Sequence, residues 1–240
     1  MVRLLSLREP FVSGRIVDRP NRFVIRVRFT DDVARAHLAD PGALEGIVES
    51  GMEILCRHAP APDRTTDYDA LAVRVEDMYV SLRASLANEL FARAIEAAAL
   101  PKFANYRIDR REPALPDHGR TDFLLVSDSS DPCYVEVKSC THVDGEEAKF
   151  PDRQTERGRR HLRSLESLVE NGHRAALVFV VQRPDATRVR PYRSVDPEFA
   201  TLLARVERAG VTVTACTTAF EPPIYRLDRP TVPVVPAEDG

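Results

Sequence analysis

Gly119-Arg-Thr-Asp-Phe-Leu-Leu-Val126, followed after a short turn by Pro132-Cys-Tyr-Val-Glu-Val-Lys-Ser-Cys140, decides how the second half of this chain folds. Both arms read as strands, because Phe123 to Val126 is apolar and Tyr134, Val135 and Val137 are aromatic or β-branched. The Ser/Asp/Pro-rich segment between them reads as a hairpin loop. A side-chain period of two puts Glu136 and Lys138 on one face of the second strand and Val135 and Val137 on the other. Pairing the arms then brings Asp122 of the first strand to the same spot. Two readings of this convergence stand side by side. Two carboxylates and a lysine at a sheet edge suit a hard divalent cation and its bound water. The same residues also suit an ordinary charged strand face with Asp122 in a turn. A second Glu-x-Lys, Glu147-Ala-Lys149, follows the turn signal Asp144-Gly145 and has no apolar strand around it, so it is read as loop.

Composition narrows the classes. A chain of 240 residues, 43% apolar and 30% charged, has length for one large or two smaller globular domains. The net charge of −3 gives no global positive field, so any nucleic-acid surface must be local. Arginine dominates the bases; the lysines are Lys102, Lys138 and Lys149. The four cysteines lie far apart with no Cys-x-x-Cys, which points to neither zinc nor a disulfide scaffold and predicts a reducing, cytoplasmic setting. No apolar run approaches the ~20 residues of a membrane span, and Arg3 and Arg8 flank too short an apolar segment for a signal peptide.

Residues 1–82 read as mostly β, a small barrel with turns every eight to twelve residues. Phe11-Val12, a Ser13-Gly14 turn and Ile16-Val17 predict a short strand pair or one bulged strand. Phe23, Ile25, Val27 and Phe29 alternate with Arg22, Val24, Arg26 and Arg28, giving an apolar face and an arginine-rich one. That second face suits phosphates of a bound strand, or simply a solvated edge. Further strands are predicted at Val33–Leu38, Met52–His58, Leu71–Val75 and Met78–Leu82, with Asp40-Pro41-Gly42 a turn and 64–69 too polar for core.

From residue 83 the rhythm changes. A helix is expected over Ala84–Ala99, capped by Ser85 and stopped by Pro101. A strand follows at Tyr106–Arg111, then the two arms above and a polar loop over 141–152. Next come a helix near Gln154–Glu170, an apolar strand at Ala175–Val181 buried on both faces, a helix at Pro197–Ala209 and a strand at Val211–Cys216. The order α-β-β-β-α-β-α-β is a mixed sheet flanked by helices. At the second helix start, Thr155 or Asp152 can cap, Arg153, Arg157 and Arg160 recur at i, i+4 and i+7, and Glu156 is close enough to support a metal from outside its ligand shell. These arginines equally suit a solvated helix face. His37, His58, His118, His142, His161 and His173 have no metal-ligand spacing, and none is given a catalytic role. Neither a Gly-x-Ser-x-Gly elbow nor a Gly-rich phosphate loop is present.

Gly119-Arg-Thr-Asp-Phe-Leu-Leu, Cys133-Tyr-Val-Glu-Val-Lys-Ser, Phe150-Pro-Asp-x-x-Thr-Glu-Arg-Gly-Arg-x-His-Leu and Val180-Val-Gln-Arg-Pro-Asp-Ala186 resemble the sugar fermentation stimulation protein A family. Weaker likeness extends through Asn21-Arg-Phe, Ala36-His-Leu and Tyr68-Asp-Ala-Leu-Ala-Val. The resemblance implies an OB-like barrel over 1–82 and a PD-(D/E)XK nuclease-like domain over 83–240, an α+β or α/β fold overall. It further implies Asp122, Glu136 and Lys138 as a nuclease triad, with Asp122, Glu136 and the Val137 carbonyl holding Mg²⁺ or Mn²⁺. Thr155 and Glu156 would stand behind them, and Glu89 or Glu96 of the early helix would add a further carboxylate. Arg22, Arg26, Arg28, Arg120, Arg153 and Arg157 would hold DNA or RNA. A homodimer is among the expected states and a membrane partner is not. The function so implied is metal-dependent phosphodiester hydrolysis; the alternative is a non-catalytic DNA-binding regulator of sugar-catabolic genes. One departure is Asp40-Pro41-Gly42, where the family has Asn-Thr-Gly.

Overall fold

The structure, a computed structural model, describes residues 1–235 apart from 9, 31, 41, 117, 118, 129 and 130. Pro41 and His118, both named above, lie outside the described residues. Strand β1 (Val2–Ser6) is followed by β2 (Val12–Asn21), β3 (Val24–Arg28), β4 (Val33–His37), β5 (Glu53–His58), β6 (Tyr68–Val75) and β7 (Met78–Ser81). Strands β2 to β6 close a five-stranded barrel: β4, β3, β2, β5 and β6 are neighbours in that order, and a parallel β4–β6 pairing joins the ends. Closure removes the exposed edges that a small open sheet would carry. The alternation of β3 turns Ile25 and Val27 into a core with Ile16, Leu38, Ile54 and Val73, and leaves Arg26 and Arg28 outside. The expected Ser13-Gly14 turn does not form. The segment is one long strand whose register shifts between Ile16 and Asp18 and again before Asn21. A Cβ on Gly14 would lie 2.5 Å from Val27 Cγ1, so the glycine serves strand-to-strand approach and makes no turn.

The second unit begins with α1 (Leu86–Glu96) and runs through β8 (Arg107–Arg111), β9 (Phe123–Val126), β10 (Cys133–Cys140), β11 (Val143–Asp144), β12 (Glu147–Phe150), α2 (Glu156–Glu170), β13 (Arg174–Val181), β14 (Arg188–Pro191), α3 (Pro197–Arg208), β15 (Thr212–Glu221) and β16 (Ile224–Leu227). Its sheet is mixed: β8, β9 and β10 are antiparallel, while β10, β13 and β15 are parallel. Helix α1 packs Leu90, Phe91 and Ile95 on one face with Val135, Val137, Val178 and Val180. Helices α2 and α3 pack Leu162, Leu165 and Phe199 on the other with Leu177 and Phe179. The uninterrupted apolar run of β13 therefore has a helix layer on each side.

Several expectations are corrected here. Ser85 precedes α1 but makes no capping bond through its side chain. The loop expected over 141–152 contains β11 and β12, and with β14 these form a separate three-stranded sheet. Glu147 and Lys149 thus do lie on a strand, but Glu147 pairs with Arg188 and Arg190, and Lys149 with Asp144. Thr66, in the segment expected to be too polar for core, is buried. Strand β1 pairs with β16, and Leu4 joins the core under α1, so the first residues belong to the sheet and not to the barrel. Barrel and sheet are also joined directly, since β7 pairs with both β6 and β15.

Candidate active site

Strands β9 and β10 pair with Phe123 opposite Val135, so Asp122, one residue earlier, comes level with Glu136, one residue later. The period of two does the rest. Val135 and Val137 enter the α1-side core, and Glu136 and Lys138 project to the face that α2 covers. The three residues expected to converge therefore meet. The Val137 N–H donates to Asp122 Oδ2 at 2.7 Å, and Asn88 of α1 donates its amide to Asp122 Oδ1 at 2.8 Å. Lys138 Nζ donates to Glu136 Oε1 at 2.6 Å. On the other oxygen, Thr121 Oγ1 lies 3.2 Å from Glu136 Oε2 and 2.8 Å from the Val135 carbonyl. Glu136 is 3% exposed, which for a carboxylate demands such partners.

The two carboxyls are driven in opposite directions. Burial pushes the Asp122 carboxyl above its ordinary value, and the charge of Glu136 adds to this; the Val137 and Asn88 donors oppose it without prevailing. Burial would also raise Glu136, but the hydrogen bond with His161 and the charge of Lys138 outweigh it and hold the group below the usual range.

His161 is the residue that sequence reasoning missed. From α2 its Nδ1 contacts Glu136 Oε1 and lies 3.1 Å from Lys138 Nζ, while Arg157 Nε approaches its Nε2 at 3.4 Å. The available signals were the i, i+4 spacing of Arg157 and His161 and its place in the Arg-Gly-Arg-x-His-Leu motif. What no spacing showed was that α2 lies across the Glu136 face. Three further histidines lie against aromatic rings: His58 and His173 abut Tyr68 and Tyr134, and His142 stacks on Tyr192.

Several expected residues stand elsewhere. Glu89 pairs with Arg93 and Arg111, and Glu96 with Arg93, so neither reaches the site; Asn88 is what α1 presents there. Glu156 is exposed and holds Arg159 and Arg163. Thr155 caps α2 through Gly158 N at 2.9 Å, while Asp152 accepts from Leu44 N of the barrel at 3.3 Å. Arg153 and Arg157 line a cleft of about 480 Å³ between barrel and sheet, together with Lys138, Asn88, Asp40 and Thr155. Arg160 instead borders a separate hollow with Leu115 and Arg163. Arg120 is exposed, 3.8 Å from Glu112.

On the barrel, Arg26 is held by Asp18, its Nε 2.8 Å from Oδ1. Register places Arg28 opposite Arg15 and Arg26 opposite Arg35, so four guanidinium groups share one outer face. Like charges placed directly opposite destabilise a sheet unless an anion joins them. Arg22 lies 4.7 Å over the ring of Phe23, which is 44% exposed.

A hard divalent cation needs oxygen donors. Asp122 and Glu136 offer carboxylate oxygens and Val137 a main-chain oxygen, all hard ligands. Among the described residues no group of three or more His, Cys, Asp or Glu side chains forms a cage for a metal. One or two carboxylates, completed by water and substrate phosphate, is the set that Mg²⁺ ordinarily uses, and the residues fit it.

Known proteins share this organisation. Residues 17–82 match the family described as the SfsA N-terminal OB domain, and residues 85–223 the sugar fermentation stimulation protein RE domain. The sugar fermentation stimulation protein homolog of Moorella thermoacetica is 39% identical over 230 residues, covering 95% of this chain and 98% of that one. The homolog of Methanothermobacter thermautotrophicus is 37% identical over 210 residues, 88% and 87% of the two chains. The solved structure of Pyrococcus furiosus SfsA in complex with Ca²⁺ superposes with a TM-score of 0.87 at 28% identity, covering 98% of this chain and all of that one. With its barrel and its mixed sheet both matched, the chain belongs to the sugar fermentation stimulation protein family.

Proposed function

We propose that the protein binds nucleic acid and hydrolyses its phosphodiester bonds with a divalent cation, Mg²⁺ or Mn²⁺. The observation that carries this reading is the meeting of Asp122, Glu136 and Lys138 beside a cleft that Lys138, Val137 and Asn88 line together with Arg153 and Arg157. The Ca²⁺ in the relative's structure supports a divalent ion for the family's fold. When bound by Asp122, Glu136 and the Val137 carbonyl, the cation supplies Lewis acidity and a water of lowered pKa.

The chain's own residues do the rest. The Val137 N–H and Asn88 fix the Asp122 carboxylate, and Thr121 fixes that of Glu136. The Lys138 ammonium orients the attacking water and offsets charge on the phosphoryl oxygens. Water oxygen bonds to phosphorus and gives up a proton to solvent, the ester P–O bond breaks, and the leaving oxygen takes up a proton from solvent. Arg153 and Arg157 hold the flanking phosphates, and the barrel face of Arg15, Arg28 and Arg35, with Arg22 beside it, holds the strand beyond, while Arg26 is taken up by Asp18. The barrel's charge is local, as a chain of net charge −3 requires.

A second reading, a DNA-binding regulator without turnover, is favoured by one observation: α1 sets the neutral Asn88 against Asp122 where a further carboxylate was expected. A cleavage assay with Mg²⁺ or Mn²⁺ on DNA and RNA separates the two. Turnover that needs the cation and falls at least about a hundredfold in Glu136→Gln and Lys138→Ala, with binding retained, supports hydrolysis. Tight binding with no cleavage under any of these conditions supports the regulator. Full activity in Lys138→Ala refutes the assigned site.

A further inference from the structure

The cleft beside the proposed active site is small, and contacts between barrel and sheet tie its lip down. Its volume of about 480 Å³ lies in the range of small-molecule pockets. A base that stays paired and stacked within a duplex cannot enter a pocket of that size. Opening the cleft would mean swinging the barrel away from the sheet, and several contacts resist this. The barrel's Leu44 N–H donates to Asp152 on the sheet side at 3.3 Å. The Gly42 backbone packs so closely on Asp152 that a Cβ there would lie 2.5 Å from Oδ2. Within the barrel, Arg19 stiffens the lip itself through the carbonyls of Gly42 and Ala43, at 2.9 and 2.6 Å. At the other side of the barrel, β7 is hydrogen-bonded to β15, so the two units share one sheet.

The lining mixes charge with flat surface: Lys138, Lys149, Arg153 and Arg157 supply positive charge, and Phe150, Pro151 and His142 supply flat or apolar surface, with His142 stacked on Tyr192 at an interplanar angle of 14°. Positive charge for phosphate and flat surface for a base is how single-strand sites are built. Arg19 also holds the Arg22 carbonyl at 3.3 Å, which keeps the Arg22–Phe23 pair near the Gly42 lip, where the exposed Phe23 ring offers a stacking surface.

Resting on the phosphodiesterase reading, we infer that the cleft admits a single strand or an extrahelical nucleotide and excludes paired duplex. The strand enters over Phe23, and one nucleotide at a time lies in the cleft, its phosphate toward Lys138 and Arg157 and its base toward His142 and Phe150. A paired base must first leave its stack, and this sets the preference.

The test uses one sequence as a single strand, as a blunt duplex and as a duplex with a central bubble, cut with Mn²⁺ and bound in EDTA. Cleavage of the single strand and of the bubble, with the duplex about a hundredfold slower, is the expected result. Equal cleavage of the blunt duplex overturns the inference and leaves the phosphodiesterase reading intact. If nothing is cut, that reading fails, and binding decides the cleft by itself. Single strand should then bind about tenfold tighter than duplex, and Ser85→Trp, which fills the cleft from an exposed position, should remove the preference. Equal binding of both forms overturns the inference. If Ser85→Trp does not fold, crosslinking of a 5-iodouracil strand to wild-type protein replaces it. Crosslinks at His142 or Phe150 support the cleft, and crosslinks confined to the barrel overturn it.

Discussion

Replacing Asp122 by Asn should make the cation-free protein more stable while ending catalysis. The carboxyl is held above its ordinary value by burial and by the charge of Glu136, even though Val137 N–H and Asn88 donate to it. In the fold the ionised form is therefore disfavoured with those hydrogen bonds already included, and a neutral side chain of the same shape should gain. The geometry permits the exchange. The introduced amide can accept from Val137 N–H through its oxygen and donate its NH₂ to Asn88 once the Asn88 amide turns over. Relief of strain at a functional site commonly yields about 0.5–2 kcal/mol. For a chain of this length that raises the melting temperature by about 2–4 °C per kcal/mol. Addition of Mg²⁺ at ten times its dissociation constant should stabilise the wild type by about 1.4 kcal/mol and do little for the variant. Thermal melts of both proteins in EDTA and in Mg²⁺ read all four numbers. Should Asp122→Asn melt lower in EDTA, or gain from Mg²⁺ as much as the wild type, Asp122 is a structural acceptor and the cation binds elsewhere.

Acid should act on the two carboxyls with opposite signs. Glu136 sits below its ordinary value, so its contribution is present above the unfolded value of about 4.3 and is lost as pH falls through the folded one. Asp122 sits above its ordinary value, so its cost is absent in acid and appears as pH rises through the folded value. Denaturant midpoints in EDTA from neutral to acid pH should fall less steeply for Glu136→Gln than for wild type; parallel curves would sink the assignment. Neutralising Arg22, Arg26 and Arg28 together should flatten the log K versus log salt slope by about 1.4–1.8, two contacts at ~0.7–0.9 each, because Asp18 already holds Arg26. An unchanged slope means the face is only solvated. Gly42→Ala should cost about 0.5–1.5 kcal/mol, because its Cβ would lie 2.5 Å from Asp152 Oδ2 and turn that carboxylate off Leu44 N–H. A chemical denaturation midpoint equal to that of wild type would show that the lip moves freely.

Much of this was legible because it depends on local periodicity. Alternation in β3 and β10 fixed which side chains face the core, and the apolar run of β13 announced cover on both faces. The same alternation put Glu136 and Lys138 together, and the hairpin brought Asp122 level with them. The strands that went unread are those whose partners are distant or whose sequence is polar. Strand β1 is held by β16 across the whole chain, and β12 by β14 about forty residues on. Strand β1 has no clean alternation, and β12 alternates over only four residues, Glu147 to Phe150, too short a run to stand out without its partner.

The site divides in the same way. The carboxylate–carboxylate–lysine set and the arginine face could be read from the residues alone, because a strand's period of two acts between near neighbours. Three features waited on the packed molecule: α2 crosses the Glu136 face and delivers His161, α1 presents Asn88 while Glu89 and Glu96 turn to arginines, and the Gly42 lip meets Asp152. Each of these rests on contacts between elements tens of residues apart, and their relative placement is set by how the whole core packs.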